Sequence, residues 1–533
     1  MNKVLRILLV SGLAAALATG GSASAASLLE GALLGADQKP LLTVDTAAGT
    51  GQLGSANGAA ASATFRIPAG LAVKADGTVY IADSRNHEIR AMKDGKVELV
   101  AGTFFDVDDK GFPVGGMLDG QGELTLFTNP HGISLDKNGN LYVADSGNHA
   151  IRKIDASGNV TTLAGDGIIG LTDDVGGKAR FYQPLDVAVA DNGTVYVADT
   201  LNHVIRRIAT NGQVTTLNAP STRAVEVSRG QAAPAGDFAD GELKNAKFNE
   251  PSGLVLDAKG NLYVSDSGNQ RIRYIDLQQQ TVTTVAGGGQ ASRLTDLYVP
   301  GEYADGPAAA ARFHFPIGLA LTDNGGIVVA DSQNHSIRLI ANGQVTTVAG
   351  TANQTTMEHD GVDRHTGFHR PVDVAVLKDG SLLVADAFNN KLRHVQPFKL
   401  PANLPQDDSV KVVLNNDWIT FDAQPEITNG RTMVPVGAIS EALGYKVTFD
   451  DATRAIQLIK DDVTIELYVD RTGIKRLVEG ERAVEKETDA APYMKQGRTY
   501  VPVRFFAEEI GLDVQWDGNS RTAIIRTKLQ DNN

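Results

Sequence analysis

Up to about residue 398 the apolar positions fall in short runs rich in Val, Ile, Leu and Tyr, broken by Gly, Asn and Asp. Runs that short and that β-branched, bounded by turn residues, predict strands. One stretch sets the pattern: Gly132–Leu135 reads as a strand and Asp136–Asn140 as a turn. Leu141–Ala144, Ile151–Ile154 and Val160–Leu163 read as three more strands. Beyond residue 430 the pattern changes. Thr432–Val436, a helical run Ala438–Leu443 and Gly444 precede an apolar strand at Tyr445–Phe449. Thr499–Val503, a helical run to Ile510 and Gly511 precede Leu512–Trp516 at a constant offset of 67 residues. Pro opens each helix and Gly follows it, the favoured asymmetry. This half therefore predicts a duplicated strand–helix–strand unit.

The four-strand pattern occurs six times, each after Phe-x-x-Pro. The Pro residues are Pro68, Pro130, Pro184, Pro251, Pro316 and Pro371. Fifteen residues after each comes a strand-ending acid: Asp83, Asp145, Asp199, Asp266, Asp331 and Asp386. Asn follows that Asp by 3 and Arg by 7, giving Arg90, Arg152, Arg206, Arg273, Arg338 and Arg393. A four-stranded sheet repeated radially is a propeller blade. The predicted fold is mainly β, a six-bladed β-propeller followed by a small duplicated α/β (α+β) domain. Stretches such as Gly139–Asp145 and Val160–Gly165 resemble NHL repeats across residues 41–398. The resemblance implies a six-bladed propeller and leaves activity open, because such proteins range from enzymes to protein and RNA binders. The sixth repeat lacks a fourth strand, and Val44–Thr50 matches the missing one, so the amino end is expected to close the ring.

Residues 410–528 resemble the copper amine oxidase N-terminal-like (stalk) domain. The resemblance implies a spacer or adhesive role. The module has no His or Cys, so the usual copper ligands are lacking. Residues 26–40 and 399–409 read as linkers. Trp418 and Trp516 read as core residues, with sugar stacking as the sharper alternative.

Residues 1–25 read as a secretory signal: Lys3 and Arg6, an apolar Ile7–Ala18, then Ala23-Ser24-Ala25. No later run is long enough to span a bilayer. The expectation is a secreted or cell-envelope protein, bacterial in type and monomeric. The net charge of −14 and the absence of a basic stripe argue against nucleic acid. There is no Cys, which removes disulfides, thiolate metal sites and Cys nucleophiles.

The repeated Asp, Asn and Arg read as structural, since a group placed alike in six blades does not discriminate a ligand without sixfold symmetry. Asp and Asn would bond loop backbone donors, and Arg an acid or carbonyl of a neighbouring blade. Asn57, Asp119, Asp173, Asp240, Asp305 and Asp360 read as turn caps, with calcium as the alternative; Asp106–Gly111 only partly resembles a calcium loop. His87, His149, His203 and His335 lie on the loop face, exposed or packed on the Arg. His131, His314 and His369 flank the Pro that enters the inner strand. Asp186 and Asp373 replace the Gly two residues after Pro. If these five converge at the channel mouth they offer a zinc site with an open position; such a site would resemble NHL-type amidating lyases. The His residues do not share one register, which opposes convergence. With no Gly-x-Ser-x-Gly, HExxH or P-loop, the reading favours recognition of a protein, peptide or envelope glycan by the propeller face. The alternatives are a metal-dependent lyase or hydrolase and a structural envelope component.

Overall fold

Each repeat begins its innermost strand at the Pro of Phe-x-x-Pro, where a missing N–H costs no ladder bond. The computed structural model describes residues 32–37, 39–289, 295–350, 359–478, 482–488 and 490–530; the leader expected at 1–25 lies outside them. In the second repeat, Pro130–Leu135, Leu141–Asp145, Ala150–Ile154 and Asn159–Ala164 pair antiparallel in that order. The other repeats start at Pro68, Pro184, Pro251, Pro316 and Pro371 and pair in the same order. The inner strand of each sheet packs on that of the next, and the sixth, Pro371–Val376, packs on the first, Pro68–Val73. The fold is mainly β, a β-propeller.

The core is divided into slabs between adjacent sheets. Ala82 and Ile89 of the first sheet meet Ile133, Val143 and Ile154 of the second. Val44, Val384 and Val395 of the sixth meet Val328 and Ile337 of the fifth. Both faces of a sheet are thus covered, which is why strands such as Leu141–Asp145 are buried throughout. Each fully buried Val, Leu or Ile contributes about 1.5–3 kcal/mol relative to exposure.

Leu42–Ala48 forms the fourth strand of the sixth sheet, antiparallel to Lys391–Pro397, with Thr43 opposite Gln396 and Val44 opposite Val395. The amino end therefore occupies the place read for it.

The C-terminal module has two strand–helix–strand units. Arg431–Pro435 leads into helix Val436–Ala442 and strand Lys446–Asp450; Arg498–Pro502 leads into helix Val503–Glu509 and strand Leu512–Asp517. Val434 lies opposite Val501, its counterpart in the other half. Among the described residues no helix is long and apolar enough to cross a membrane.

The two segments read as linkers are not free tethers. Leu404 (3% exposed) packs with Leu41, Phe398, Val413 and Ile524. Ala36 donates its N–H to Gln515. The module also adds a strand to the propeller: Leu529 lies opposite Gly361. Arg526 is buried there and bridges Asp363 of the propeller and Asp513 of the module.

Candidate functional site

The repeated polar residues form one buried knot per sheet. In the second sheet Asp145 Oδ1 accepts the Thr128 N–H at 2.8 Å, while Oδ2 accepts Asn148 Nδ2 and Arg152 Nη1, each at 2.8 Å. Arg152 also donates to the carbonyls of Leu126 and Leu118 and to Asp119, and lies 4.9 Å over the Phe127 ring. The same Asp–Arg pair closes in the other sheets, at Asp83/Arg90, Asp199/Arg206, Asp266/Arg273, Asp331/Arg338 and Asp386/Arg393. Burial pushes these carboxyls up, to about 6 at Asp145, against the pull of the Arg.

Two expectations are corrected. The Arg does not reach a neighbouring sheet: its partners lie in its own sheet and in the connection entering it. The preceding acids are not turn caps. Asp119 takes Arg152 on one side and both the N–H and hydroxyl of Thr162 on the other, so it ties the Arg to the outermost strand. Asp360 does the same for Arg393 and Thr46 of the amino-terminal strand.

The residue four after each strand-ending Asp turns left-handed and links sheets. His87 (φ 60°), His149, His203, Gln270, His335 and Asn390 all have positive φ. Each accepts, through Nδ1 or an amide oxygen, the backbone N–H of the residue preceding Pro in the next sheet. His87 takes Asn129, His149 Gln183, His203 Glu250 and His335 Arg370. Gln270 takes Phe315, and Asn390 takes Ile67 of the first sheet, completing the circle. The recipients themselves have φ near 50°, including Ile67 and Phe315, for which that region is strained. Of the two placements read for these His, exposed or packed on the Arg, exposure fails for His87, His203 and His335, which are buried against the connection entering the next sheet. With Nδ1 an acceptor, the ring proton sits on Nε2; that of His87 donates to the Pro113 carbonyl at 2.9 Å, and Gln270 Nε2 donates to Val299. These side chains anchor the long connections on the face above them.

The five channel-mouth candidates divide. His131 stands in the wall, Nδ1 donating to the Leu185 carbonyl at 3.0 Å, and burial lowers its pKa to about 4. Asp186 and Asp373 lie half a ring apart. Asp186 accepts the N–H groups of Val187 and Leu254; Asp373 accepts those of Val374 and Leu71. Each thus stitches its sheet to the next. The neighbouring glycines are needed, for a Cβ on Gly132 would lie 2.0 Å from Asp186 Oδ1 and one on Gly318 2.2 Å from Asp373 Oδ1. Burial, then the charge of Asp373, raises Asp186 well above the carboxylate range; burial raises Asp373 to about 7. His314 and His369 sit elsewhere, with His335, on the connection-bearing face: the His335 and His369 rings are 5.8 Å apart. Among the described residues no three His, Asp or Glu gather as metal ligands. The calcium-like stretch is a hairpin in which Asp108 caps its own turn by accepting the N–H groups of Lys110 and Phe112.

What gathers on that face is apolar. Hairpin Asp106–Val114 carries Val107 and Phe112, and Phe105 (73% exposed) precedes it, its N–H donated to the Val114 carbonyl. Met117 lies beside Gly167, whose neighbours Ile168 and Ile169 are over half exposed. Asp106, Asp108 and Asp109 are exposed around them. Sequence reading missed this patch because apolar residues in irregular loops carry no period.

Comparison with known proteins bears on the fold. The NHL repeat model matches residues 65–92, 127–154 and 313–338, and the teneurin NHL domain model matches 172–276. The copper amine oxidase N-terminal domain model matches 413–525. NHL repeat-containing protein 2 of Bos taurus is 29% identical over 401 residues, 70% of this chain and 53% of that protein. The chain thus spans about half the length of that relative. A probable peptidyl-alpha-hydroxyglycine alpha-amidating lyase of Caenorhabditis elegans is 41% identical over 75 residues, 14% of this chain and 20% of that one. A solved protein of unknown function from Bacteroides thetaiotaomicron is 19% identical over 67% of this chain and 76% of that one, with a TM-score of 0.47. NHL repeats and a copper amine oxidase N-terminal domain are present in this chain.

Proposed function

We propose that this chain is an exported bacterial recognition protein. Its propeller is six-bladed, and the connection-bearing face binds a protein or peptide while the C-terminal module spaces or attaches it. One observation carries the reading: Phe105, Phe112, Met117 and Ile168 stand exposed on two neighbouring connections, the first of which His87 holds through the Pro113 carbonyl. Soluble surfaces rarely expose such patches without a partner. The carboxylates of Asp106, Asp108 and Asp109 around the patch favour a ligand that combines apolar with cationic side chains. The fixed hairpin lowers the ordering cost of binding.

Panning a random peptide library on the purified chain tests this. Selected peptides should be rich in apolar and basic residues and should lose about tenfold or more in affinity for a Phe105→Ser/Ile168→Ser variant, a difference of about 1.4 kcal/mol. Peptides that bind the variant as well as the parent, or a library that yields none, would overturn the reading.

A further inference from the structure

The two halves of the C-terminal module serve as each other's reference. The positions that build the shared core are retained across the 67-residue offset: Pro435 and Pro502, Val436 and Val503, Val447 and Val514. Three positions beside them differ. Gly437 of the first half is Arg504 in the second, Thr448 is Gln515, and Phe449 is Trp516. All three second-half residues line one groove of about 490 Å³, closed on its other side by Ile427, Arg431 and Thr432 of the first half.

The chemistry of the groove is specific. Trp516 is half-buried against the core and its other side lines the groove, and its indole N–H has no acceptor among the described residues. Arg504 is exposed at the rim and has no ion pair among the described residues. Gln515 is already engaged: it accepts the Ala36 N–H and donates to Asp513, so it steadies the wall. In a chain of net charge −14, a guanidinium beside an open indole is a local inversion of sign.

We infer that this groove binds an acidic glycan, with a sugar ring stacked on Trp516 and its carboxylate on Arg504. An indole offers a flat apolar platform with a polar edge, which matches the CH face and hydroxyl rim of a pyranose. The planar guanidinium suits a carboxylate bidentately. The volume of about 490 Å³ suits a small ligand such as one or two sugar rings. The site stands apart from the propeller face, so its failure leaves the propeller reading untouched.

Calorimetry of the full chain with a hexagalacturonate, and with maltohexaose as the neutral control, tests the inference. The acidic oligosaccharide should bind, quench tryptophan fluorescence and weaken at high salt, and the neutral one should bind at least about tenfold more weakly. Arg504→Gly installs the residue of the first half and Trp516→Phe keeps an aromatic core; each should weaken binding about tenfold while the chain stays folded by circular dichroism, the helical Gly lowering stability by about 1 kcal/mol. Equal binding of both sugars, no binding of the acidic one, or unchanged affinity of Arg504→Gly would overturn it. So would equal binding of a hexaglutamate peptide, which would make the groove a site for acidic peptides.

Discussion

The Nδ1 of His203 accepts the backbone N–H of Glu250 across 3.1 Å, joining the third sheet to the fourth. The Gln270–Phe315 and Asn390–Ile67 contacts do the same work with amide oxygens. The requirement at this position is an acceptor on a left-handed residue. His203→Gln should therefore be tolerated, whereas His203→Ala leaves the Glu250 N–H unpaired and should cost about 1–2 kcal/mol. Urea unfolding midpoints of the two variants decide between an acceptor and an imidazole-specific role.

Acid should loosen the same contact. Burial, reinforced by Arg223, lowers the His203 pKa to about 4, against about 6.5 for an unfolded His. Between those values the unfolded chain binds the extra proton. The stabilisation is thus complete above pH about 6.5 and is lost as pH falls towards 4. The loss attributable to His203 between pH 7 and 5 should be about 1–2 kcal/mol. The raised carboxyls of Asp83, Asp145 and their counterparts act in the opposite sense. The measurement is therefore the pH dependence of unfolding in the parent minus that in His203→Gln, which should rise with pH over this window. A flat difference would remove His203 from the pH response.

The buried knot makes a sharper prediction. Arg152 is wholly buried and satisfies Asp145, Asp119 and two carbonyls. Arg152→Met leaves the Asp145 charge uncompensated and should destabilise by about 3–5 kcal/mol. Arg152→Lys should recover little, because one ammonium cannot span the fork between those four acceptors. Thermal unfolding of both variants reads this out.

Much of the fold was legible because it is written six times. The Pro-to-Asp spacing of 15 and the Arg at 7 marked the sheets that begin at those prolines but not the loop hairpins at 106–114 and 223–235, and the Val44–Thr50 match pointed to the closing strand, which runs Leu42–Ala48. The site was less legible, for physical reasons. His131 and His369 flank equivalent prolines, yet one faces the Leu185 carbonyl in the channel wall and the other lies near His335. His131 follows its Pro whereas His369 precedes its Pro by two, and the structure separates the two rings along that difference of register. The role of His87, His149, His203 and His335 had a signal that was passed over: the same register holds Gln270 and Asn390, so every occupant can accept a hydrogen bond.

The contact between propeller and C-terminal module yields the last prediction. Arg526 bridges Asp363 and Asp513, lies 5.8 Å over Phe398 and reaches the Leu42 carbonyl of the closing strand. One guanidinium thus joins the module, the sixth sheet and the amino end. Asp363 also accepts the Leu42 N–H at 2.6 Å, so its half-buried carboxylate is held in place and loses its counter-charge when the Arg is removed. Arg526→Ala should cost about 3–5 kcal/mol at this junction. The loss should be local, freeing the Leu529–Gly361 pairing before the ring opens. Hydrogen exchange should accelerate in 42–48 and 360–362 while the strands of the second to fourth sheets stay protected. Acceleration spread evenly around the ring would instead mean that closure and docking form a single cooperative unit.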